Sequence, residues 1–348
     1  MKKTILACIA ILLLTVVFLG FAQALLMPKY MSASREGALI AEYYEESGDH
    51  DVLFIGDCEA YESFTPATLW EEYGITSYIR GSAQQLIWQS YYLLEEMLER
   101  ETPKAVVYNV YAMKYGKPQD EAYNRMTLDG MQWSSSKLGA INASMTEEED
   151  LLSYVFPIFR FHSRWSQLSG EDFTYLFSRD RVSHNGYMMQ TAIDPKPEEQ
   201  RKPTVLVDYT LPEICFDYLD RMRTLCNEKG IELILIKAPT NTLKYYWYDE
   251  WEEQIDAYAE EHGVKYYNFI PLAEEIGIDW STDTYDAGAH LNVYGAEKLT
   301  RYFGSLLVSN HGYVAEQPQK GSDLAFDAMV ASYYEQKADL EAKRDQNK

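Results

Sequence analysis

Three side chains in this sequence have the types needed for nucleophilic acyl chemistry: Cys58, Asp286 and His290. A cysteine attacks a carbonyl carbon as its thiolate, so a histidine must accept the thiol proton and a carboxylate must orient that histidine. Asp286 lies four residues before His290, and Asp283 in the same stretch is an alternative carboxylate. If these groups meet, we expect the imidazolium and the helix after Cys58 to lower the thiol pKa below its free value of about 8.5.

The residues before Cys58 predict where its thiol is presented. Residues 52–55 are four apolar residues in a row, which predicts a strand buried on both faces, and Gly56 and Asp57 then break the run. In open parallel sheets, ligands bind outside the carboxyl ends of the strands, where helix N-termini stabilise negative charge. The thiol is therefore predicted at the kind of sheet edge where such sites form.

The rest of the chain alternates apolar runs with amphipathic helical segments. This alternation predicts an α/β fold, in which a doubly wound parallel sheet carries helices on both faces. About five strands are predicted, at residues 52–55, 75–79, 105–110, 231–236 and 264–269.

The two ends of this pattern resemble the first and last blocks of the SGNH (GDSL) hydrolases. Gly56-Asp57-Cys58 is similar to the first block, with cysteine in place of the nucleophilic serine, and residues 286–292, Asp-Ala-Gly-Ala-His-Leu-Asn, are similar to the last. The resemblance covers about residues 50–310, and more narrowly it is to membrane-anchored, extracytoplasmic bacterial members of the family. It implies a three-layer, flavodoxin-like fold and a catalytic arrangement of Cys58, His290 and Asp286.

The resemblance also implies donors for an oxyanion hole. Gly81, after the second predicted strand, matches the glycine of the family's second block, and its N–H could act together with that of Cys58. The third block, Gly-x-Asn-Asp, is absent, because the third strand leads into residues 111–114, Tyr-Ala-Met-Lys. Asn109, within that strand, is the remaining candidate donor. This departure from the family pattern leaves open an interpretation in which the protein binds without catalysis.

Residues 115–205 interrupt the alternation of strands and helices. A structureless loop of this length is improbable in a compact domain, so a mainly helical insertion after the third strand is predicted. Its place after the carboxyl end of a strand is where a lid over the site would lie. The candidate substrate-pocket residues are Asp57, Arg80, Arg125, His162 and His184.

The chain begins with a segment long enough to cross a membrane. The apolar run of residues 5–27 exceeds the roughly 7 to 15 apolar residues of a signal peptide, and the two lysines before it predict a cytoplasmic N-terminus. Residues 22–24, Ala-Gln-Ala, have the form of a cleavage site, so a cleaved signal peptide is the alternative. In both cases residues 28–348 are expected outside the cytoplasm. The length of the run favours the uncleaved anchor, so the protein is predicted to be a single-pass cell-membrane protein.

These observations predict the division of the chain. The predicted units are a transmembrane anchor or signal peptide (1–27), a juxtamembrane segment (28–50), an SGNH-like domain (51–310) that includes the 115–205 insertion, and a charged C-terminal tail (311–348), either a solvated helix or disordered.

Composition and motifs exclude some classes of partner and leave two functions. The net charge of -23 argues against nucleic acid, and neither zinc-type spacing nor a glycine-rich phosphate loop is present, so no metal and no cofactor is predicted. The resemblance implies a hydrolase or acyltransferase that acts on acyl esters, such as O-acetyl esters, of a cell-surface glycan or glycopolymer. The alternative is a catalytically inactive SGNH-like protein that binds a glycan or assists a membrane-bound O-acyltransferase.

Overall fold

The structure is a computed structural model that describes residues 2–27, 35–46, 48–118, 120–178, 181–195, 203–243, 245–314 and 323–346. Parts of the predicted juxtamembrane segment, insertion and tail lie outside these residues. The strands are β1 Val52–Gly56, β2 Ser77–Gly81, β3 Ala105–Asn109, β4 Glu232–Lys237 and β5 Lys265–Asn268. The helices are α1 Lys2–Leu26, α2 Arg35–Glu42, α3 Cys58–Ser63, α4 Pro66–Tyr73, α5 Ile87–Leu98, α6 Glu121–Leu128, α7 Ser135–Ser144, α8 Leu151–Val155, α9 Ile158–Phe161, α10 Gly170–Tyr175, α11 Glu213–Glu228, α12 Asp249–His262, α13 Ala273–Ile276, α14 Val293–Asn310 and α15 Leu324–Gln346. Short 3-10 helices lie at Tyr43–Glu45, Val110–Lys114 and His162–Gln167.

The five strands form one parallel sheet in the order β2-β1-β3-β4-β5. This is the flavodoxin-like strand order. Successive side chains of a strand point to opposite faces, so Leu53 and Ile55 enter one core while Val52 and Phe54 enter the other. The predicted α/β fold with a parallel sheet and helices on both faces is confirmed.

Helices cover both faces of the sheet because each contributes one apolar stripe. Helices α5, α11 and α12 pack in the core that contains Leu53. Cys215 and Cys226 lie on the buried stripe of α11 as free thiols. Helices α3, α4 and α14 pack in the core that contains Val52. The layers hold β1, and the turn that follows it, in the middle of the molecule.

The described part of the tail is a helix, one side of which packs on the domain. Helix α15 packs against α4 and buries Phe326, Met329 and Tyr333. These residues are spaced three and four apart and so lie on one side of a helix. Of the two alternatives, residues 324–346 form the helix, and most of it is exposed; the packed side differs from a fully solvated helix because this narrow apolar stripe finds a partner only in the folded chain.

The described residues of the insertion occupy three places and do not form a single lid. Helices α6 and α7 pack at the side of α5, while α9 and the 3-10 helix His162–Gln167 lie against α1. Residues 182–194 run along the free edge of β2, where the carbonyl of Asn185 accepts the N–H of Ile79 at 2.9 Å. This last part reaches the loop before α14, because the N–H of Asp194 donates to the carbonyl of Thr284 at 3.0 Å.

Helix α1 is apolar along its length, and none of its residues is buried. Among the described residues it is the one helix long and apolar enough to cross a membrane, and it lies at the N-terminus, where a signal sequence would have the same character. A membrane anchor and a signal sequence are both compatible with it.

Candidate active site

Cys58, His290 and Asp286 meet at the carboxyl edge of the sheet. Cys58 is the first residue of α3, just after β1, and its Sγ lies 3.1 Å from Nε2 of His290. The other ring nitrogen, Nδ1, lies 2.6 Å from Oδ2 of Asp286, and Oδ1 of that carboxylate accepts the backbone N–H of His290 at 2.8 Å. The three side chains form a hydrogen-bonded relay from thiol to carboxylate.

A tight turn explains how a spacing of four residues still lets Asp286 orient His290. Ala287 (φ 60°) and Gly288 (φ 90°) both have left-handed backbone, which residues other than glycine adopt rarely. Oγ1 of Thr284 accepts the N–H of Gly288 at 2.9 Å and holds the turn in place. The turn folds the carboxylate back toward the imidazole that follows it.

The alternative carboxylate, Asp283, has different partners. Its Oδ2 accepts a hydrogen bond from Nζ of Lys298 at 2.6 Å and from the N–H of Asp279 at 2.8 Å. Asp283 therefore stabilises the start of the loop, and the structure places Asp286 against His290.

Glu62 is a second carboxylate beside the histidine, and the sequence analysis missed it. It lies one helical turn after Cys58 on α3, so the two side chains share a helix face. Oε2 of Glu62 is 3.6 Å from Nδ1 of His290, and the hydroxyl of Tyr285 donates to Oε1 of Glu62 at 2.8 Å. The residue is 2% exposed. Its spacing of four from a cysteine at a predicted helix start was the signal that could have identified it.

The pKa of Cys58 beside His290 is shifted in the direction opposite to that predicted from the sequence. Burial raises the pKa of Cys58 to about 11; His290 offsets part of this, while Asp57 and Glu62 add to it. Burial favours the neutral imidazole, but Cys58, Glu62 and Asp286 outweigh it and raise the pKa of His290 well above its ordinary value. The raised pKa of the Cys58 thiol is opposite in direction to the lowered thiol pKa that the sequence predicted. Loss of one proton at higher pH produces the reactive form.

A buried charge cluster lies next to the turn that carries the thiol. Nζ of Lys237, the last residue of β4, lies 2.7 Å from Oε2 of Glu59 on α3, and both side chains are almost fully buried. Asn109, the last residue of β3, donates from Nδ2 to Oδ1 of Asp57 and to Oε2 of Glu59, both at 3.1 Å. The cluster ties the ends of β3 and β4 to the start of α3.

This cluster corrects two predictions. Both amide hydrogens of Asn109 are donated to carboxylates, so none is left for an oxyanion. Asp57 is 2% exposed and caps α3 by accepting the N–H of Glu59, so it does not line a pocket. Burial, together with the neighbouring Glu59, raises the pKa of Asp57 to about 7.

Gly81, the other oxyanion-hole candidate, lies opposite Gly56 where β2 pairs with β1. A Cβ on Gly81 would come within 2.7 Å of the carbonyl oxygen of Gly56 and 3.1 Å of the ring of Tyr61. Glycine is therefore required by the close approach of the two strand ends beside the cysteine turn. The role of its N–H as an oxyanion donor stays a prediction.

The two predicted pocket arginines have structural partners elsewhere. Arg80 is fully buried and pairs with Glu96 of α5 at 3.2 Å, with its guanidinium over two tyrosine rings. Arg125 on α6 pairs with Glu121 at 2.7 Å. Their contacts in the described chain do not include the relay. Ile79 packs in the core that contains Val52. Arg80, the next residue of β2, therefore points to the opposite face of the sheet.

The two predicted pocket histidines also lie apart from Cys58. His162 is exposed, and its Nδ1 lies 3.1 Å from the carbonyl oxygen of Phe159. His184 is buried at the β2 edge, with Nε2 2.6 Å from Oε1 of Gln336 on α15. The position of the insertion in the sequence did not predict where these side chains lie, because its three parts pack on different surfaces.

Aromatic rings lead from the imidazole to Lys114, a residue that the sequence analysis did not propose for the site. The ring of Tyr245 lies 4.9 Å from that of His290 and 5.3 Å from that of Tyr111, between ring centroids. Nζ of Lys114 lies 3.5 Å from the centre of the Tyr111 ring. Burial lowers the pKa of Lys114 to about 8. Its place just after β3, at a strand end, was the available signal.

The arrangement supplies a nucleophile, a proton acceptor and two orienting carboxylates, which are the groups that acyl transfer through a covalent intermediate requires. Among the described residues, no group of three His, Cys, Asp or Glu side chains is placed to hold a metal ion.

Comparison with known proteins adds little to this geometry. No family model matches the chain, and no curated protein matches it significantly. Among solved structures, the chain is similar to a proposed acylhydrolase from Bacteroides fragilis, with 11% identity and a TM-score of 0.37, over 77% of this chain and 93% of the other. A likeness at this level carries no argument about function.

Changing Glu62 to glutamine is expected to move the pH dependence of Cys58 reactivity to lower pH. Glu62 raises the pKa of both His290 and Cys58, and glutamine keeps the size and the acceptor for Tyr285. Removing one charge at this distance should lower the midpoint by roughly one pH unit. The measurement is the rate of Cys58 alkylation as a function of pH.

Glu72→Gln is the matched control for this variant, because the Glu72 carboxylate pairs with Arg301, away from the relay. Its profile should equal that of the wild type. A Glu62→Gln profile that also equals the wild type would show that Glu62 does not act on the pair.

Proposed function

We propose that the protein is a membrane-anchored, extracytoplasmic SGNH-like enzyme that removes or transfers an acyl group through Cys58. The substrate class is an acyl ester, such as an O-acetyl ester, of a cell-surface glycan or glycopolymer. The relay carries this proposal, because Nε2 of His290 lies 3.1 Å from Sγ of Cys58 and Nδ1 lies 2.6 Å from Asp286. Cys58 as a residue is only partly buried, which is compatible with access of a substrate to the turn that carries it.

The reaction has two stages. Neutral His290 accepts the thiol proton at Nε2, and the Cys58 sulfur attacks the acyl carbonyl carbon. The tetrahedral intermediate collapses, the ester C–O bond breaks, and the imidazolium returns the proton to the leaving alcohol. The thioester on Cys58 is then attacked by water or by an acceptor hydroxyl, whose proton passes through His290, and the thiol is restored. The N–H groups of Cys58 and Gly81 are proposed to bind the oxyanion.

Asp286 holds the imidazole in the tautomer that these reaction steps need. With Nδ1 donating to Asp286, the neutral ring presents Nε2 as an acceptor to the thiol. Because the pKa of both Cys58 and His290 is raised, activity is expected to increase from neutral to mildly alkaline pH. At lower pH a protonated imidazole cannot accept the thiol proton.

Specific observations also favour the second candidate, a catalytically inactive protein that binds a glycan or assists a membrane-bound O-acyltransferase. Burial raises the pKa of Cys58 to about 11, so little thiolate is present at neutral pH. Asn109 donates its amide hydrogens to Asp57 and Glu59. The asparagine of the family's third block is absent. An SGNH-type cleft without an efficient nucleophile would still offer the rings of Tyr245 and Tyr285 to a sugar.

Acylation of Cys58 separates the two candidates. The full-length protein is incubated with p-nitrophenyl acetate at neutral and mildly alkaline pH, and peptide mass spectrometry locates the acetyl group. The enzyme should carry it on Cys58, faster at the higher pH. Cys215 is the internal comparison, because it is fully buried and burial raises its pKa to about 12.

Cys58→Ser and Cys58→Ala complete this test. The serine variant restores the family's nucleophile and should keep some esterase activity, whereas the alanine variant should have none. If Cys58 is acylated no faster than Cys215, and neither the wild type nor Cys58→Ser hydrolyses simple esters, the enzyme proposal is abandoned in favour of the binding protein.

A further inference from the structure

Helix α1 ends against the insertion. Its 25 residues span about 37 Å, which exceeds the roughly 30 Å of a bilayer's hydrocarbon layer. Residues 2–21 are exposed, whereas most of residues 22–27 are partly buried where α9 and the 3-10 helix His162–Gln167 pack against them. The insertion therefore contacts α1 at the end that would leave the hydrocarbon.

Arg164 fixes this contact. Its Nη1 donates to the carbonyl oxygens of Leu26 at 2.9 Å and Met27 at 2.6 Å. The last carbonyls of a helix have no intrahelical donor, and a cation there is favoured by the helix dipole. Nη2 of Arg164 pairs with Asp172 at 3.0 Å and so links the end of α1 to α10.

The part of the insertion held at this end carries several exposed apolar side chains close together in the sequence, here called the aromatic patch. Exposure within the patch runs from 47% for Phe173 to 84% for Phe177. Its members are Leu152, Phe156, Phe159, Trp165, Phe173 and Phe177. Single exposed apolar residues are ordinary, but a cluster of this size on one segment marks an interaction surface.

We propose that the aromatic patch inserts into the extracytoplasmic headgroup interface of the bilayer that α1 crosses. Tryptophan and other aromatic side chains concentrate at the level where a spanning helix leaves the hydrocarbon, and apolar faces of short helices bind in the plane of that interface. Trp165, 73% exposed, lies one residue from the arginine that caps α1. The inference rests on α1 remaining attached as an anchor and is independent of the chemistry at Cys58.

The position of the patch favours lipid over a protein partner. A segment fastened to the last turn of a spanning helix lies at the membrane surface whatever else it binds, so lipid is the neighbour that geometry supplies. Burial of these apolar side chains in the interface removes them from water, which is favourable. Lipid can therefore cover the aromatic patch without a second protein chain.

Two arginines connect the patch to the rest of the domain. Arg160 donates from Nε to Glu121 at 3.0 Å, and Arg125 donates from Nη2 to Oγ of Ser153 at 2.8 Å. Both links lead into α6, which packs beside α5. Arg125, expected in the substrate pocket, instead joins α6 to the patch, and docking of the patch would hold the sheet at a fixed orientation to the membrane.

Fluorescence quenching by lipids tests the proposal in the full-length protein reconstituted into phospholipid vesicles. Lipids brominated at shallow acyl positions should quench Trp165, and Trp165→Phe should remove most of the lipid-dependent quenching. Trp280→Phe is the control for loss of a tryptophan, since Trp280 lies beside α13, and it should leave that quenching unchanged. The readout involves no reaction, so failure of the enzyme proposal would leave it unaffected.

A double variant tests the patch as a surface. Phe159→Ser with Phe177→Ser should weaken shallow-lipid quenching of Trp165 and increase its quenching by aqueous acrylamide. Val207→Ser with Leu324→Ser, which alters two exposed apolar residues elsewhere, should do neither. Two results overturn the proposal. If acrylamide quenches Trp165 and brominated lipid does not, the patch lies in water. If neither quenches Trp165, a protein partner covers the patch.

Discussion

Replacing His290 with alanine is expected to lower kcat/KM for ester hydrolysis by roughly 10² to 10⁴-fold, the usual contribution of a positioned general base. The imidazole is the group that takes the thiol proton, with Nε2 3.1 Å from Sγ. Without it, the buried thiol keeps its raised pKa and loses the cation that partly offsets burial. The measurement is the hydrolysis of p-nitrophenyl acetate by the full-length protein at mildly alkaline pH.

The control for this substitution is His262→Ala, at the end of α12, where the imidazole lies tilted against the Tyr258 ring. It should hydrolyse the ester as the wild type does. Both variants should be compared for thermal unfolding, so that loss of fold is not mistaken for loss of base. A folded His290→Ala protein with wild-type kcat/KM would remove the histidine from the proposed mechanism.

Replacing Lys237 with methionine is expected to lower the free energy of unfolding by about 3 to 5 kcal/mol. The substitution leaves the Glu59 carboxylate buried without its cation, which lies 2.7 Å away in the wild type. A buried charge that loses its partner keeps its desolvation penalty and loses the attraction that offset it. Urea unfolding, followed by circular dichroism, measures the change.

Two further variants identify the cause of the destabilisation. Glu59→Gln combined with Lys237→Met removes both charges and should recover a large part of the loss, because the remaining groups are neutral. Lys104→Met breaks the exposed pair with Asp51 and should cost about 1 kcal/mol or less. If Lys237→Met alone and the double variant lose the same free energy of unfolding, packing and not charge governs the stability of the cluster.

The fold was largely readable from the sequence because its cause is local and repeated. Runs such as residues 52–55 can be buried only in a sheet covered on both faces, and the helical segments between them supply the cover. The cysteine at the end of the first strand, and the histidine and two aspartates before α14, were likewise visible as residue types near element ends. Parallel strands bring such ends to one edge, so the sequence predicted that Cys58 and His290 meet with one of the two aspartates.

The sequence did not reveal the environment of those groups. Asp286 orients His290 because Ala287 and Gly288 turn the chain back, while Lys298 holds Asp283 elsewhere. These choices depend on contacts between residues that only the folded chain brings together.

The raised pKa of the thiol has the same origin. Burial and the neighbouring charges of Asp57 and Glu62 are properties of the whole packed edge, and they outweigh the imidazole that the sequence led us to expect as dominant. Asn109 is another case: its place at a strand end was readable, but the two carboxylates that occupy its amide were not. The pattern of apolar and polar residues along the chain thus determined the sheet and its reactive edge. Tertiary packing decided which hydrogen bonds and charges act there, because burial and electrostatic coupling arise from residues distant in sequence.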